Sequence, residues 1–293
     1  MSTPSPRAIL ELFKPITWFA PMWAFACGAV SAAQPMAGRW GEVAAGVVLS
    51  GPLLVATSQA VNDWYDRHVD AINEPQRPIP SGRIPGRWGL YIAIFWTMVS
   101  LLVAWVLGPW VFGAALLGVV LAWIYSAPPL RLKRNGWWGN AAVGLSYEGL
   151  AWFAGAAVML NGLPPAPILQ LALLYSLGAH GIMTLNDFKS VEGDLQMGLA
   201  SLPAQLGVDR AARVACWVMT LPQLVVIGLL LHWGTVGYAT LVVLLLLAQW
   251  ALMLRLLEQP RARAPWYNAT GTSLYVWGML VSALALRSLG GGI

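Results

Sequence analysis

Charged side chains are scarce: Asp, Glu, Lys and Arg make up 10% of the 293 residues, where a soluble globular domain carries roughly 25%. So few charges do not cover a water-soluble fold, and a soluble enzyme is excluded. A disordered chain is excluded too, because 58% of the residues are hydrophobic and the mean hydropathy is +0.64. Cysteine is nearly absent. Cys27 and Cys216 lie far apart inside apolar runs, which rules out a disulfide framework or thiolate metal site and reads as two buried small residues. Histidine occurs three times, and no Ser/His/Asp constellation for nucleophilic catalysis is present. The first fifteen residues, with Arg7, Glu11 and Lys14, lack the apolar core of a signal peptide and the composition of a transit peptide. A bacterial membrane protein is the expectation.

What the chain has in excess is apolar sequence, and a helix needs about 20 such residues to cross a bilayer. Nine runs stand between polar breaks: 16–33, 43–61, 89–107, 111–125, 140–160, 168–185, 214–232, 237–254 and 270–286. Only Gly108-Pro109-Trp110 parts the third from the fourth, and Pro109 argues for a tight turn there. The expected fold is all-α: a polytopic integral membrane protein with nine transmembrane helices, one domain over 1–293. Fifteen of the seventeen Lys and Arg then share the face of the N-terminus, leaving Arg39 and Arg287 on the other. This bias places the N-terminus in the cytoplasm and the C-terminus in the periplasm. It also accounts for the net charge of +5 without a nucleic-acid partner. The seventeen tryptophans read mostly as interfacial anchors and packing.

The acids are clustered. Asn62-Asp63-Trp64-Tyr65-Asp66-Arg67-His68-Val69-Asp70 follows the second run, and Asn186-Asp187-Phe188-Lys189-Ser190-Val191-Glu192-Gly193-Asp194 follows the sixth. If the helix continues, Asn62, Asp63, Asp66 and Asp70 fall within an arc of roughly 100°. In the second stretch Asp187, Ser190 and Asp194 would share a face that Glu192 does not. Like charges beside a bilayer repel and are costly to desolvate, and a cation relieves both. An all-oxygen donor set selects a hard ion such as Mg²⁺. Mg²⁺ held by carboxylates keeps positions open for substrate phosphates. Arg77, in Arg77-Pro78-Ile79-Pro80-Ser81-Gly82-Arg83, and Lys133 and Arg134, in the loop opened by Arg131, fit a diphosphate clamp. Arg87 and Arg263 read as ordinary topology-setting charge. The inferred substrate has a diphosphate head and an apolar body.

At these residues the sequence resembles the UbiA-type intramembrane prenyltransferases, and the resemblance spans essentially the whole chain. Asn62, Asp66 and Asp70 match the first Asp-rich motif of that family, NxxxDxxxD, and Asp187 and Asp194 match the ends of the second, DxxDxxGD. Lys14-Pro15-Ile16-Thr17-Trp18-Phe19, the Arg77–Gly82 segment, Tyr125-Ser126-Ala127-Pro128-Pro129 with its basic continuation, and Asn186–Asp194 are similar to the chlorophyll/bacteriochlorophyll synthase branch. Ser190 replaces the middle aspartate found in many superfamily members and is the residue expected in that branch. The resemblance implies a UbiA-type bundle with a cytoplasm-facing site in a bacterial photosynthetic inner membrane. It implies transfer of a geranylgeranyl or phytyl group from its diphosphate to the propionate of a (bacterio)chlorophyllide. Two Mg²⁺ held by Asn62, Asp66, Asp70, Asp187 and Asp194 would bridge the diphosphate, and Arg77, Lys133 and Arg134 would add positive charge for the leaving group. Asp66, Asp70, Asp187 and Asp194 are thus the expected catalytic carboxylates.

Two further residues carry open readings. His180, seven residues before Asp187, faces the same side two turns deeper; it ligates the chlorin magnesium, hydrogen-bonds the acceptor, or is tied to a neighbouring helix. Glu148 lies inside the fifth run, where an ionisable group is functional by default; acceptor binding and a buried hydrogen-bonded role are both open. Rival functions are a UbiA-type enzyme for another acceptor such as a quinone or haem precursor, a divalent-cation or proton transporter, and a noncatalytic pigment-binding protein. A transporter places its carboxylates near the midplane, whereas both clusters here lie at one face beside phosphate-type cations. Chlorophyllide or bacteriochlorophyllide, geranylgeranyl or phytyl, oligomeric state and protein partners are not legible in the sequence.

Overall fold

The computed structural model describes residues 3–196 and 198–290. The described residues form helices and no strand: α1 (Pro6–Phe13), α2 (Phe19–Ser31), α3 (Trp40–Asn73), α4 (Trp88–Leu107), α5 (Pro109–Ser126), α6 (Gly136–Leu160), α7 (Ala166–Asn186), α8 (Val191–Gln196), α9 (Leu202–Leu206), α10 (Val208–His232), α11 (Val236–Glu258) and α12 (Pro260–Gly290). Eight of these are long and apolar enough to cross a membrane: α3 to α7 and α10 to α12. The chain is a multi-pass membrane protein.

The first expected span departs from the sequence reading. Instead of an uninterrupted crossing over 16–33, Lys14 takes a left-handed conformation, Pro15–Thr17 forms a 3₁₀ turn, and α2 has 13 residues. At 1.5 Å per residue that is about 20 Å, short of a hydrocarbon core of about 30 Å. α2 is nevertheless interior. Its Gly28 and Gly155 of α6 let the two backbones touch: a Cβ on either would lie 2.0 Å from a carbonyl oxygen of the other helix. Small residues permit this kind of approach between membrane helices. The turn between α4 and α5 forms as expected, with Gly108 at φ 121° and Pro109 opening the next helix.

Two long helices are locally widened into π-helical turns, at Leu49–Val55 in α3 and at Leu145–Leu150 in α6. The first contains Pro52. Proline has no N–H to give and its ring collides with the preceding turn, and a wider turn absorbs both defects. The Pro52 carbonyl accepts the Trp96 indole N–H at 3.0 Å. An aromatic stack locks the bundle centre: Trp152 lies 5.6 Å from Tyr175, and Tyr175 lies 5.3 Å edge-on to Tyr275. Tyr275 Oη also donates to the Tyr175 carbonyl at 2.6 Å, joining α7 to α12. Large apolar side chains such as Trp105, Leu117 and Leu247 face outward, as a lipid solvent requires.

The two acidic stretches leave their helices differently. α3 runs on unbroken to Asn73, so its acids project on a regular helix. α7 stops at Asn186, turns as a 3₁₀ segment over Asp187–Lys189, and restarts as α8.

Candidate active site

On the last turns of α3, Asn62, Asp63, Asp66 and Asp70 do share one face, and every carboxylate of that face meets a cation. Asp63, 1% exposed, accepts Lys14 Nζ at 2.8 Å and Arg77 at 3.4 Å. Asp66 accepts Arg131 at 3.0 Å and pairs with Lys133. Asp70 accepts Arg77 at 3.0 Å. Lys133 also donates to Asn62 Oδ1 at 3.0 Å, an oxygen that takes a second hydrogen bond from Ser126 at 3.2 Å. Burial lowers the Lys133 ammonium below its ordinary pKa, with Asp66 opposing. Burial likewise works against the Arg77 charge, but Asp63, Asp70 and Glu74 outweigh it and raise its pKa.

The second stretch is held by neutral groups. Asp187 accepts Asn140 Nδ2 at 3.2 Å. Asp194 accepts Ser201 Oγ at 2.6 Å and Ser190 Oγ at 3.2 Å. Glu192 points away and pairs with Arg261 on the surface. Main chain stitches the two halves together: Asn135 and Ala200 form an isolated bridge, with Gly136 N donating to the Ala200 carbonyl at 2.7 Å and Ala200 N to the Arg134 carbonyl at 2.9 Å.

Arg134 corrects the sequence reading. It is exposed, and among the described residues it takes part in the site through its carbonyl alone, while Arg131 reaches Asp66. The reason is backbone conformation: Arg131 sits at φ 41° and a 3₁₀ turn follows, which turns residues 131 and 133 to the carboxylates and 134 away. His180 Nε2 lies 3.2 Å from the Trp137 carbonyl and its ring 5.6 Å from the Trp137 ring, which ties it to α6, while its Nδ1 is buried and unpartnered. Glu148 sits in the second π-helical turn, 6% exposed, with Oε2 buried and unpartnered; no hydrogen bond satisfies that oxygen.

Sequence reasoning missed Lys14, Arg131, Asn140 and Ser201. Lys14 and Arg131 stood inside quoted motifs, whereas nothing in the spacing marks Asn140 or Ser201. It missed Tyr125 as well. Tyr125 stands near the end of α5, next to Ser126, whose hydroxyl donates to Asn62, and it lines a cavity inside the bundle. The cavity lies between α3, α5 and α6, walled by residues such as Leu54, Gly118, Ala122 and Tyr147. Both π-helical turns contribute to its wall. Such turns are frequent at functional sites.

The donor set suits a hard divalent ion: carboxylate and amide oxygens from both stretches, with Asp63 Oδ2 buried and unpartnered. No three acidic, His or Cys side chains among the described residues converge to form a complete cage. Mg²⁺ needs none, since it is commonly held by one or two carboxylates together with substrate phosphates. The residues therefore fit an ion that arrives with a diphosphate.

Comparison with known proteins agrees with this arrangement. The model of the UbiA prenyltransferase family matches residues 21–284. The chain is 57% identical over 288 residues, 98% of its own length and 95% of the relative's, to the bacteriochlorophyll synthase 33 kDa chain of Cereibacter sphaeroides. It is 41% identical, over 94% of its length and 73% of the relative's, to chloroplastic chlorophyll synthase of Arabidopsis thaliana. A UbiA homolog from Archaeoglobus fulgidus, solved with GPP and Mg²⁺ bound, superposes with a TM-score of 0.66 at 20% identity, covering 97% of this chain and 98% of that one.

Proposed function

The chain belongs to the UbiA prenyltransferase family and is a prenyltransferase, and from that premise we propose that it esterifies the propionate of a bacteriochlorophyllide with a geranylgeranyl or phytyl group taken from its diphosphate. The higher similarity to the bacterial relative favours bacteriochlorophyllide over chlorophyllide. One domain carries the reaction. The charge bias of the loops supports a cytoplasmic N-terminus and mouth and a periplasmic C-terminus in a bacterial photosynthetic membrane, which requires α2, together with the 3₁₀ turn before it, to make a ninth crossing beside the eight long helices.

The observation that carries this reading is the meeting of cations, carboxylates and an apolar cavity at the end of α5: Tyr125 lines the cavity, and Ser126 beside it donates to Asn62 within the Lys133–Asp66 pairing. A diphosphate with a hydrocarbon tail matches all three. Asn62, Asp66 and Asp70 from α3, with Asp187 and Asp194, would hold two Mg²⁺, and bound metal would supply charge withdrawal that makes the diphosphate a better leaving group. Arg77, Arg131 and Lys133, now paired with carboxylates, turn their N–H donors to the diphosphate. The prenyl chain lies in the cavity. As the C1–oxygen bond breaks, its electron pair leaves with the diphosphate, and the Tyr125 and Tyr147 ring faces offset the positive charge on the allylic carbon. A propionate oxygen then bonds to C1. The propionate is already ionised at neutral pH, so no proton has to be removed and no general base is needed.

The test is an assay of purified protein with bacteriochlorophyllide and geranylgeranyl diphosphate, with and without Mg²⁺. Ester forms only with the metal. No ester in any Mg²⁺-containing reaction, with either tetrapyrrole acceptor and either twenty-carbon donor, overturns the assignment.

A further inference from the structure

The cavity follows α5 for almost the whole length of that helix. Val111, Ala114, Gly118, Ala122 and Tyr125 line it, and the fourteen residue steps from Val111 to Tyr125 span about 21 Å. Gly118 lies at the midpoint, about 10 Å from the mouth. Leu116, Leu117 and Val120 of α5 face outward to lipid, 43%, 45% and 45% exposed, while Ala114, Ala115, Gly118 and Ala122 line the cavity with little side-chain volume beside the larger Leu121. Protein interiors are otherwise close-packed.

At Gly118 the free space is directly measurable. A Cβ built there meets a single atom within 4 Å, Leu150 Cδ1 at 3.8 Å, and Leu150 belongs to the opposite wall of the same cavity. A methyl at 118 would therefore sit in ordinary contact with Leu150 and displace neither helix, whereas a larger side chain would press into the cavity beside Leu150 and narrow it. Gly113, five residues earlier on the same helix, is also open within 4 Å of its Cβ, but it is exposed and does not line the cavity.

We propose that Gly118 sets how much prenyl chain the enzyme admits: its missing side chain leaves the inner half of the cavity open to the far end of a twenty-carbon donor. The proposal rests on the reading of the cavity as the donor's seat. A blocked midpoint leaves room for about half the chain, so a ten-carbon donor should still enter.

The experiment measures kcat/KM of Gly118→Phe, Gly118→Ala, Gly113→Phe and the unaltered protein with geranyl, farnesyl and geranylgeranyl diphosphates, at fixed acceptor and Mg²⁺. For Gly118→Phe, geranylgeranyl transfer falls about 100-fold while geranyl transfer stays within about threefold, the loss being one of misplaced substrate. Gly118→Ala, a replacement that favours the helix, lowers the geranylgeranyl-to-geranyl ratio about threefold, so the gauge is read even if the phenylalanine variant fails to fold. Gly113→Phe leaves the ratio unchanged. A ratio unmoved by both substitutions at 118, or moved equally by Gly113→Phe, overturns the gauge. Failure of the unaltered protein with every donor would instead strike the functional assignment beneath it.

Discussion

The two acidic stretches end neighbouring halves of the same mouth, yet their surroundings are opposite. Beside Asp63, Asp66 and Asp70 stand Lys14, Arg77, Arg131 and Lys133. Beside Asp187 and Asp194 stand an amide and two hydroxyls. Lys189, the nearest cation in sequence, makes no ion pair with either among the described residues. Opposite charge stabilises a carboxylate far more than a neutral donor does. The α3 cluster is therefore balanced before substrate arrives, and its cations are the groups a diphosphate can recruit. The second cluster has no ion-paired cation among the described residues, so metal binding is expected to depend on it most.

Four measurements break or sharpen this contrast. The largest effect is expected where both halves are needed: Asp66→Ala and Asp187→Ala each lower kcat/KM for ester formation by about 10³-fold, the upper range for a lost electrostatic group. A normal rate for either would remove that half from the chemistry. Next, Lys133→Ala lowers kcat/KM by about 10²-fold with a raised KM for the diphosphate and an unchanged Mg²⁺ requirement, while Asn140→Ala raises the Mg²⁺ needed for half-maximal rate. The same metal response in both variants would erase the division of labour. Third, Mg²⁺ binding without donor, followed by calorimetry, weakens about tenfold in Asp187→Asn, a loss of about 1.4 kcal/mol, and hardly at all in Asp66→Asn. The reverse order would show the α3 cluster to be the primary metal site. Last, Arg134→Ala changes kcat/KM less than about twofold, as exposed charges usually do, whereas a loss like that of Lys133→Ala would return Arg134 to the clamp.

Much of this arrangement was legible from residue order. Eight of the nine apolar runs fall on helices long enough to span a membrane, the Gly108-Pro109 turn separated α4 from α5, and helical periodicity placed Asn62, Asp66 and Asp70 on one face. These are local properties of a regular helix. Arg131 and Arg134 exchanged roles because φ at one residue decided the outcome, and periodicity carries no information through a left-handed turn. Lys14 reaches Asp63 across 49 positions, a pairing that no spacing rule supplies. The cavity was hidden for a third reason: it depends on two π-helical turns, which leave the hydrophobic pattern of α3 and α6 almost unaltered. α2 was misjudged in length because a 3₁₀ turn and the following helix share one apolar run.

The short main-chain bridge between Asn135 and Ala200 has a bearing on biogenesis. Membrane helices are delivered in order of synthesis, and pairings distant in sequence form late. Asp66 and Lys133 can meet once α5 and the loop after it have emerged, but the partner of Asn135 is still unsynthesised. The mouth thus cannot be complete until the segment carrying Ser201 has emerged and docked beside α6. A nascent chain stalled before that point carries most of its hydrophobic mass and only half of a reaction centre.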